Sequence, residues 1–198
     1  ELVLMEHAAL ALVSAVEERF HRLTPKTRGL IVAGSGNNGG DVLAAARILS
    51  QKHHCELDVV LLGNPSKMTP AAKTQAKMLQ SLGVKTLKTL PSTLDHDWIL
   101  DGIFGTGLQR EVEGPYATVI EKINESKCWI ISADIPSGLS ADTGRPMGIA
   151  VQACHTVSLG FLKRGHVTGL AADHVGRLWL EEIQIPRKLP FAPTAHLF

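Results

Sequence analysis

Short runs of apolar residues alternate along the chain with longer segments in which apolar residues recur every three or four positions. The short runs predict β-strands, and the longer segments predict amphipathic helices. Residues 2–20 have the helical spacing, and so do Val42, Ala45, Ala46 and Leu49. The predicted strands cover residues 28–34, 56–63, 84–87, 97–105, 155–160 and 176–183, and one more begins the segment 128–138.

Two further helices are marked by residues typical of helix ends. Thr69 and Pro70 suit the N-cap and first helical positions, and Gly83 is expected to end that helix. Residues 115–124 are predicted to form a helix with Pro115 at its first position. Strands that alternate with helices predict an α/β fold, in which a mostly parallel sheet is covered on both faces. The nearly continuous apolar character of the strands is typical of such a sheet.

Composition narrows the classes of function. The 198 residues suffice for one domain with a sizeable core, and 20 basic against 19 acidic residues leave a formal charge of +1. This balance predicts no nucleic-acid or membrane partner, and no apolar run approaches the ~20 residues of a transmembrane helix. Three cysteines without a C-x-x-C pair, after an N-terminus without signal-peptide features, predict a reducing, cytoplasmic compartment.

A glycine-rich loop, GSGNNGGD, joins the first predicted strand to a helix at residues 34–41. Its beginning matches G-x-G-x-x-G, the fingerprint of nicotinamide-dependent dehydrogenases. A dehydrogenase also needs an acidic residue at the carboxyl end of its second strand. Asp58 lies at the beginning of the apolar part of that strand, and Asn64, Pro65 and Ser66 follow the strand, so hydride transfer is disfavoured. The glycines still predict an anion held by backbone N–H groups at a helix N-terminus.

The polar residues of this loop have two interpretations. In the structural one, Asn37 and Asn38 occupy a left-handed turn, and Asp41 is a helix N-cap. In the functional one, their amide and carboxylate oxygens contact a ligand, since a plain phosphate-binding loop needs only backbone groups. For Asp41 the sequence leaves both open.

Two more predicted strand ends carry an aspartate close to glycine. Asp101 ends an apolar strand ahead of a Gly-Thr-Gly turn, and Asp134 follows another ahead of Pro-Ser-Gly. Ligands bind at the carboxyl ends of parallel strands, so these residues and Asp41 are expected to lie at adjacent loops. Three carboxylates in one place require a cation or a proton among them.

The same loops offer donors and acceptors for a ligand. Backbone N–H groups of the two glycine loops, together with Thr106 and Arg110, suit a pyrophosphate. The oxygens of Asn38, Asp101 and Ser137 suit a hard monovalent or divalent cation. No P-loop sequence G-x-x-x-x-G-K-[ST] is present, which disfavours a kinase-like domain.

These motifs resemble the NAD(P)H-hydrate epimerase family, the YjeF N-terminal domain. The resemblance implies a three-layer α/β/α Rossmann-like domain over residues 1–186, followed by a linker-like tail, 187–198, that could lead to a dehydratase domain. The matching segments are GSGNNGGD, DGIFGTGLQREVEGPY and DIPSGLSADTG, with SLGFLKRGH and, more loosely, LVLMEHAA.

The family interconverts the R and S epimers of hydrated NADH and NADPH at C6 of the nicotinamide ring, and a dehydratase then restores the S form. By resemblance, the ligands of one potassium ion per subunit are Asn38, Asp101 and Ser137. The residues implied to contact the substrate are Asn37, Asn38, Gly39, Gly40, Asp41, Gly105, Thr106, Gly107, Leu108, Gln109, Arg110, Glu111, Tyr116 and Asp134.

Asp134 is the expected catalytic acid/base, because inverting a carbinol carbon needs proton transfer at the hydroxyl or during ring opening. Lys163 either reaches the site or is a surface lysine. Two residues depart from the family pattern: Val42 stands in place of a glycine, and Arg164 in place of a proline.

The expected partners are the hydrated nucleotide, a fused or separate dehydratase and a second copy of the chain in a homodimer. Domains that resemble this one also act as non-catalytic binding or scaffold modules. That alternative is disfavoured because Asp41, Asp101 and Asp134 are all present in their motifs.

Overall fold

The computed structural model describes residues 1–20 and 23–185. The helices are α1 (Leu2–Arg19), α2 (Asn37–Lys52), α3 (Pro70–Ser81), α4 (Pro115–Glu125) and α5 (Ala172–Val175). The strands are β1 (Arg28–Ala33), β2 (Glu56–Leu61), β3 (Thr86–Leu87), β4 (Trp98–Gly102), β5 (Trp129–Ala133), β6 (His155–Leu159) and β7 (Arg177–Glu181). Every predicted helix and strand that falls within the described residues is therefore present.

The described strands form one seven-stranded sheet in the order β3-β2-β1-β4-β5-β6-β7. Every neighbouring pair is parallel, so the sheet is entirely parallel where the sequence predicted a mostly parallel one. The chain moves outward from β1 to β3 and then returns to place β4 on the other side of β1. In such sheets ligands bind outside the carboxyl ends of the strands at this switch point. The junction of β1 and β4 therefore locates the candidate site.

Alternate residues of β1 pack on opposite faces of the sheet. Leu30 and Val32 belong to the core that includes Ile120 of α4, whereas Ile31 and Ala33 belong to the core beneath α1, α2 and α3. All of these side chains are buried. Helices on both faces explain the continuous apolar runs and confirm the three-layer α/β/α prediction.

The predicted ends of α3 are confirmed. The side chain of Thr69 accepts a hydrogen bond from the N–H of Ala72 at 3.3 Å, and Pro70 is the first helical residue. Gly83 follows the helix with a φ of +80°, a left-handed conformation that favours glycine. By contrast, α2 begins at Asn37, well before the apolar pattern that predicted it.

None of the helices within residues 1–20 and 23–185 is long and apolar enough to cross a membrane. Cys55 and Cys128 are buried free thiols, and Cys154 is a half-buried one. The predicted tail, 187–198, lies outside the described residues, as does residue 186, so this domain boundary stays a prediction.

Candidate active site

A cleft of about 890 Å³ opens at the carboxyl ends of β1 and β4. It is bounded mainly by the β1–α2 loop, the first turns of α2 and the β4–α4 loop. Its lining residues are Gly34, Ser35, Gly36, Asn37, Asn38, Asp41, Thr69, Ile103, Phe104, Gly105, Thr106, Gly107, Leu108, Gln109, Arg110, Tyr116 and Asp134. The structure thus brings together the substrate residues expected from sequence, except Gly39, Gly40 and Glu111.

The N-terminal turn of α2 forms one wall of this cleft. Gly36 is the N-cap and supplies no side-chain cap for the first helical N–H groups. Such unpaired N–H groups, with the partial positive charge of a helix N-terminus, favour an anion. The geometry therefore retains the anion site that the glycines predicted.

Asn37, Asn38 and Asp41 do not have the structural roles considered from the sequence. The two asparagines are the first residues of a right-handed helix and do not form a left-handed turn. Asp41 lies one turn into the helix and lines the cleft, so its interpretation as the N-cap is wrong.

Asn38 connects α2 to the β4–α4 loop. Its Nδ2 donates to the carbonyl oxygen of Phe104 at 2.9 Å. Its Oδ1 is buried and accepts no hydrogen bond from any residue that the structure describes. Buried polar atoms without a partner are rare in folded proteins. This oxygen is therefore suited to a cation or to a hydrogen-bond donor of a bound ligand.

Asp101, the fourth residue of β4, is completely buried and accepts four hydrogen bonds. Ser137 donates from its N–H at 2.9 Å and from its hydroxyl at 2.5 Å. The hydroxyl of Ser132 and the N–H of Ile103 donate at 2.8 Å and 3.2 Å. Burial raises the pKa of Asp101, and the hydrogen bonds from Ser137 and its neighbours oppose that shift. This network joins the ends of β4 and β5.

The residues expected to hold potassium lie together around one carbonyl group. Phe104 O accepts from Asn38 Nδ2 at 2.9 Å and from Ser137 Oγ at 3.2 Å, and Ser137 also bonds to Asp101. Among the described residues no group of three or more His, Cys, Asp or Glu side chains could hold a metal ion. Amide, hydroxyl and carbonyl oxygens with one carboxylate nevertheless fit a hard monovalent cation, and Asn38 Oδ1 has no competing donor.

Asp134 follows the last residue of β5 and has a φ of +63°, a left-handed conformation uncommon for residues other than glycine. Its Oδ1 accepts from the N–H of Leu159 at 3.0 Å and forms an ion pair with Lys163 Nζ. The two charged side chains are only 17% and 14% exposed. Lys163 also donates to the hydroxyl of Ser158 at 3.2 Å, so its interpretation as a surface lysine is wrong.

Repulsion between the carboxyl groups of Asp41 and Asp134 is avoided in two different ways. The Lys163 ammonium neutralises Asp134. Burial, with a further contribution from the charge of Asp134, raises the pKa of Asp41 to about 8. At pH 7 Asp41 is therefore mostly protonated. The sequence required a cation or a proton in this cluster, and the chain itself supplies both.

An aromatic pair forms part of the cleft wall. The rings of Phe104 and Tyr116 have centroids 5.1 Å apart and are tilted by 51°. The Tyr116 hydroxyl lies over the backbone of Gly63 after β2, where a Cβ atom would come within 2.6 Å of it. Such rings offer flat apolar surface to a planar ligand.

Residues 1–165 match the family model described as YjeF-related protein N-terminus. The chain belongs to the YjeF N-terminal family. The NAD(P)H-hydrate epimerase of Limosilactobacillus fermentum is 37% identical over 177 residues, covering 89% of this chain and 83% of that protein. The bifunctional NAD(P)H-hydrate repair enzyme Nnr of Moorella thermoacetica is 39% identical over 197 residues. That alignment covers 95% of this chain but only 37% of the Moorella enzyme.

A solved structure also matches this YjeF-family chain. The crystal structure of yeast ynu0, YNL200c, superposes with a TM-score of 0.70 at 25% identity. The match covers 82% of this chain and 72% of the yeast chain. The family and the fold expected from the sequence motifs are thus confirmed.

Three of the residues expected to contact the substrate lie outside the cleft lining. A Cβ atom at Gly39 would lie 2.0 Å from the carbonyl oxygen of Gly34, and one at Gly40 would lie 2.5 Å from the Met5 side chain. These glycines therefore allow α2 to pack closely against the loop before it and against α1. Glu111 is exposed and does not line the cleft.

Gly39→Ala is expected to lower the free energy of unfolding by about 1–3 kcal/mol, because its Cβ would displace backbone. Gly107→Ala is the matched control, since a Cβ there meets nothing within 4 Å. We expect that control to change stability by less than about 0.5 kcal/mol in urea denaturation. Equal stabilities of the two variants would contradict the packing role of Gly39.

The two departures from the family pattern have local explanations. Val42 points away from the cleft lining and packs against Gly102, where a Cβ atom would lie 2.5 Å from its Cγ1. Arg164 opens a short 3-10 turn, Arg164–Val167, so this loop folds without the proline.

His166, which is not among the site residues expected from the sequence, lies beside Lys163. Its Nδ1 is within 3.3 Å of the Lys163 N–H and accepts from it, while Nε2 is buried without a partner among the described residues. Burial and the nearby ammonium lower the pKa of His166, so the neutral ring supports the Lys163 loop. A single histidine in a loop carries no periodicity or spacing that could have predicted this contact.

Proposed function

We propose that this chain is an NAD(P)H-hydrate epimerase, an isomerase that interconverts the R and S epimers of hydrated NADH and NADPH. The observation that carries the proposal is the ion-paired Asp134 in the wall of a cleft built from the YjeF motifs. A cleft of about 890 Å³ is within the size range of ligand sites. Relatives of similar length that are named epimerases support the same activity.

The cleft supplies complementary groups for two parts of a dinucleotide, the pyrophosphate and a ring. The N–H groups at the start of α2, with the Gly105–Gly107 turn and Arg110, bind the pyrophosphate. Phe104 and Tyr116 offer flat surface to a ring of the substrate. This assignment is supported by the lining residues, which join both loops to Asp134 in one space.

Inverting a carbon that bears a hydroxyl group beside a ring nitrogen requires one bond to break and reform with proton transfer. Asp134 is placed to move that proton, because its carboxylate lines the cleft while its Oδ1 is fixed by Lys163 and by the Leu159 N–H. Lys163 is a positioning residue that holds this carboxylate in place through the ion pair. A non-catalytic scaffold would not require this half-buried ion pair at the cleft.

The test is to mix the purified chain with R-configured hydrated NADPH and to follow the S epimer by chromatography. We expect conversion faster than the spontaneous epimerisation measured without protein. Conversion no faster than that background would overturn the proposed function.

We further propose that Asn38, Asp101 and Ser137 hold one potassium ion. Bound potassium would supply fixed positive charge beside Asn38 in the cleft wall, which favours an anionic substrate. The support from the structure is the buried Asn38 Oδ1, which accepts no hydrogen bond from the described residues.

Replacing potassium by tetramethylammonium is expected to lower the epimerisation rate and the midpoint of thermal unfolding. An ion present at about ten times its Kd stabilises by about 1.4 kcal/mol. Asn38→Ala should abolish the response to potassium, whereas Asn64→Ala, in the exposed turn after β2, should retain it. If potassium affects neither rate nor midpoint in the unmodified chain, the site is not a potassium site.

The remaining expectations concern partners and compartment. We propose that a dehydratase acts on the S epimer, which is supported by relatives named as bifunctional repair enzymes. A homodimer is supported by exposed apolar residues on α1, which include Val3 and Leu10. The free thiols of Cys55, Cys128 and Cys154 support a reducing, cytoplasmic compartment.

A further inference from the structure

Asp41 differs from Asp101, the completely buried carboxyl group of the site. Asp101 is surrounded by four donors from Ser132, Ser137 and Ile103. The carboxyl of Asp41 lines the cleft and has neither a hydrogen bond nor an ion pair to any described residue. A carboxyl that the fold does not use for its own hydrogen bonds is free to act on a ligand.

The cleft places this unused carboxyl together with Asp134. Both residues line the same cleft, and the negative charge of Asp134 adds to the effect of burial in raising the pKa of Asp41. Lys163 bonds to Asp134, and no cation pairs with Asp41 among the described residues. The arrangement therefore pairs the Asp134 carboxylate with an ammonium group and leaves the Asp41 carboxyl without a charged partner among the described residues.

We propose that Asp41 is a second catalytic group, a protonated general acid that acts opposite the ionised Asp134. This inference rests on the proposed epimerase function and assigns one half of its proton transfer. The two carboxyls have different surroundings and are not equivalent, so each can take a separate role in the proton transfer.

Either chemical route needs one proton donor and one proton acceptor. In ring opening, Asp134 takes the hydroxyl proton as the C6–O bond becomes a carbonyl, and Asp41 gives its proton to the ring nitrogen as the C6–N1 bond breaks. In loss of water, Asp41 protonates the leaving hydroxyl, and Asp134 takes a proton from the water that adds to the other face. After ring closure or proton return both groups regain their initial states, and no oxidant or reductant is consumed.

Other charged and titratable groups lie around the cleft. Arg110 and Tyr116 lie in the lining, Lys163 is paired with Asp134, and Asp101 is completely buried and does not line the cleft. Beside the N-terminal turn of α2, Glu1 accepts a hydrogen bond from Asn37. Besides burial, the charge that raises the pKa of Asp41 is that of Asp134.

The pH dependence has a definite sign. The pKa of Asp41 rises from its usual 3.8 to about 8 in the folded chain, so the folded state holds a proton that the unfolded state releases. The stabilisation from this proton is complete below about pH 4 and is lost as pH rises through about 8. An Asp41→Asn variant does not ionise, so its thermal midpoint should rise relative to that of the unmodified chain across this interval.

Asp41→Asn is expected to lower kcat about 100-fold at pH 7, with a smaller change in KM. In the unmodified chain kcat should fall above about pH 8, and the variant should lose this limb of its pH profile. Glu121→Gln, which changes an exposed carboxylate of α4 to an amide, is the matched control and should keep full activity. Carbon-13 NMR of labelled aspartates should show Asp41 titrating near pH 8, and at lower pH in Asp134→Asn.

Two results overturn this role while the epimerase function stands. One is an Asp41→Asn variant with kcat within threefold of the unmodified chain and the same limb at high pH. The other is an Asp41 resonance that titrates at the pH of an ordinary aspartate in the unmodified chain, which needs no variant to fold. Failure of the unmodified chain to epimerise at any pH overturns instead the proposed function, and the catalytic role of Asp41 with it.

Discussion

Asp134→Asn is expected to lower kcat for epimerisation by about 1,000-fold or more at pH 7. The amide does not accept a proton, and it leaves Lys163 without the carboxylate that it neutralises. Loss of a positioned acid/base group lowers the reaction rate about 100- to 10,000-fold. Because the substitution also breaks the ion pair, we expect a loss larger than the low end of this range. Asparagine tolerates the left-handed backbone at this position, where φ is +63°, so the local fold should persist.

A second substitution separates the role of the carboxylate from that of the backbone. Asp134→Gly also removes the charge, but glycine adopts the left-handed backbone at this position without the strain that asparagine still has. The kcat values of the two variants should therefore agree to within about tenfold. A tenfold difference in rate corresponds to about 1.4 kcal/mol in activation free energy. Asp173→Asn, at an exposed position of α5, is the control and should keep full activity. An Asp134→Asn variant that retains a tenth of the activity would contradict the assignment of Asp134.

The positions of the acidic residues could be predicted because they depend on local pattern alone. Asp101 and Asp134 each stand at the end of an apolar run, and parallel strands present their carboxyl ends at the same edge of a sheet. Thr69, Pro70 and Gly83 likewise predicted both ends of α3 from residue types with local roles. These inferences succeed because burial and backbone geometry act over a few residues.

The contacts between loops could not be derived in this way. Lys163 reaches Asp134 from 29 residues along the chain, and Asn38 reaches the Phe104 carbonyl from 66. Such pairings depend on the path of each loop and on which strands are neighbours. The spacing of apolar residues along the sequence predicts neither of these. Asp41 could not be assigned from sequence because its role depends on where α2 begins, and boundaries are the least certain part of a helical pattern.

The structure also changes the electrostatic argument for a cation. Three acidic residues near one sheet edge required positive charge or a proton, and the sequence offered potassium as one answer. Lys163 and the raised pKa of Asp41 already account for two of these carboxyls, and four donors surround the third. The case for potassium therefore rests on the unsatisfied Asn38 oxygen rather than on repulsion between carboxylates.

Asp101→Ala is expected to lower the free energy of unfolding by about 4 kcal/mol, a large part of the roughly 5–15 kcal/mol of an ordinary domain. The substitution leaves the N–H groups of Ile103 and Ser137 buried without their acceptor, and each such group costs about 1–3 kcal/mol. The hydroxyls of Ser132 and Ser137 also lose their bonds to the carboxylate. Urea denaturation followed by circular dichroism measures the loss.

Ser132→Ala is the matched control, because it removes one of the four donors and leaves Asp101 with the other three. Its expected cost is about 1 kcal/mol, the net value of one hydrogen bond. Repeating both measurements in tetramethylammonium separates the network from the proposed ion: the difference between the variants should persist without potassium if hydrogen bonds cause it. Equal stabilities of the two variants would show that the four hydrogen bonds of Asp101 do not hold the ends of β4 and β5 together.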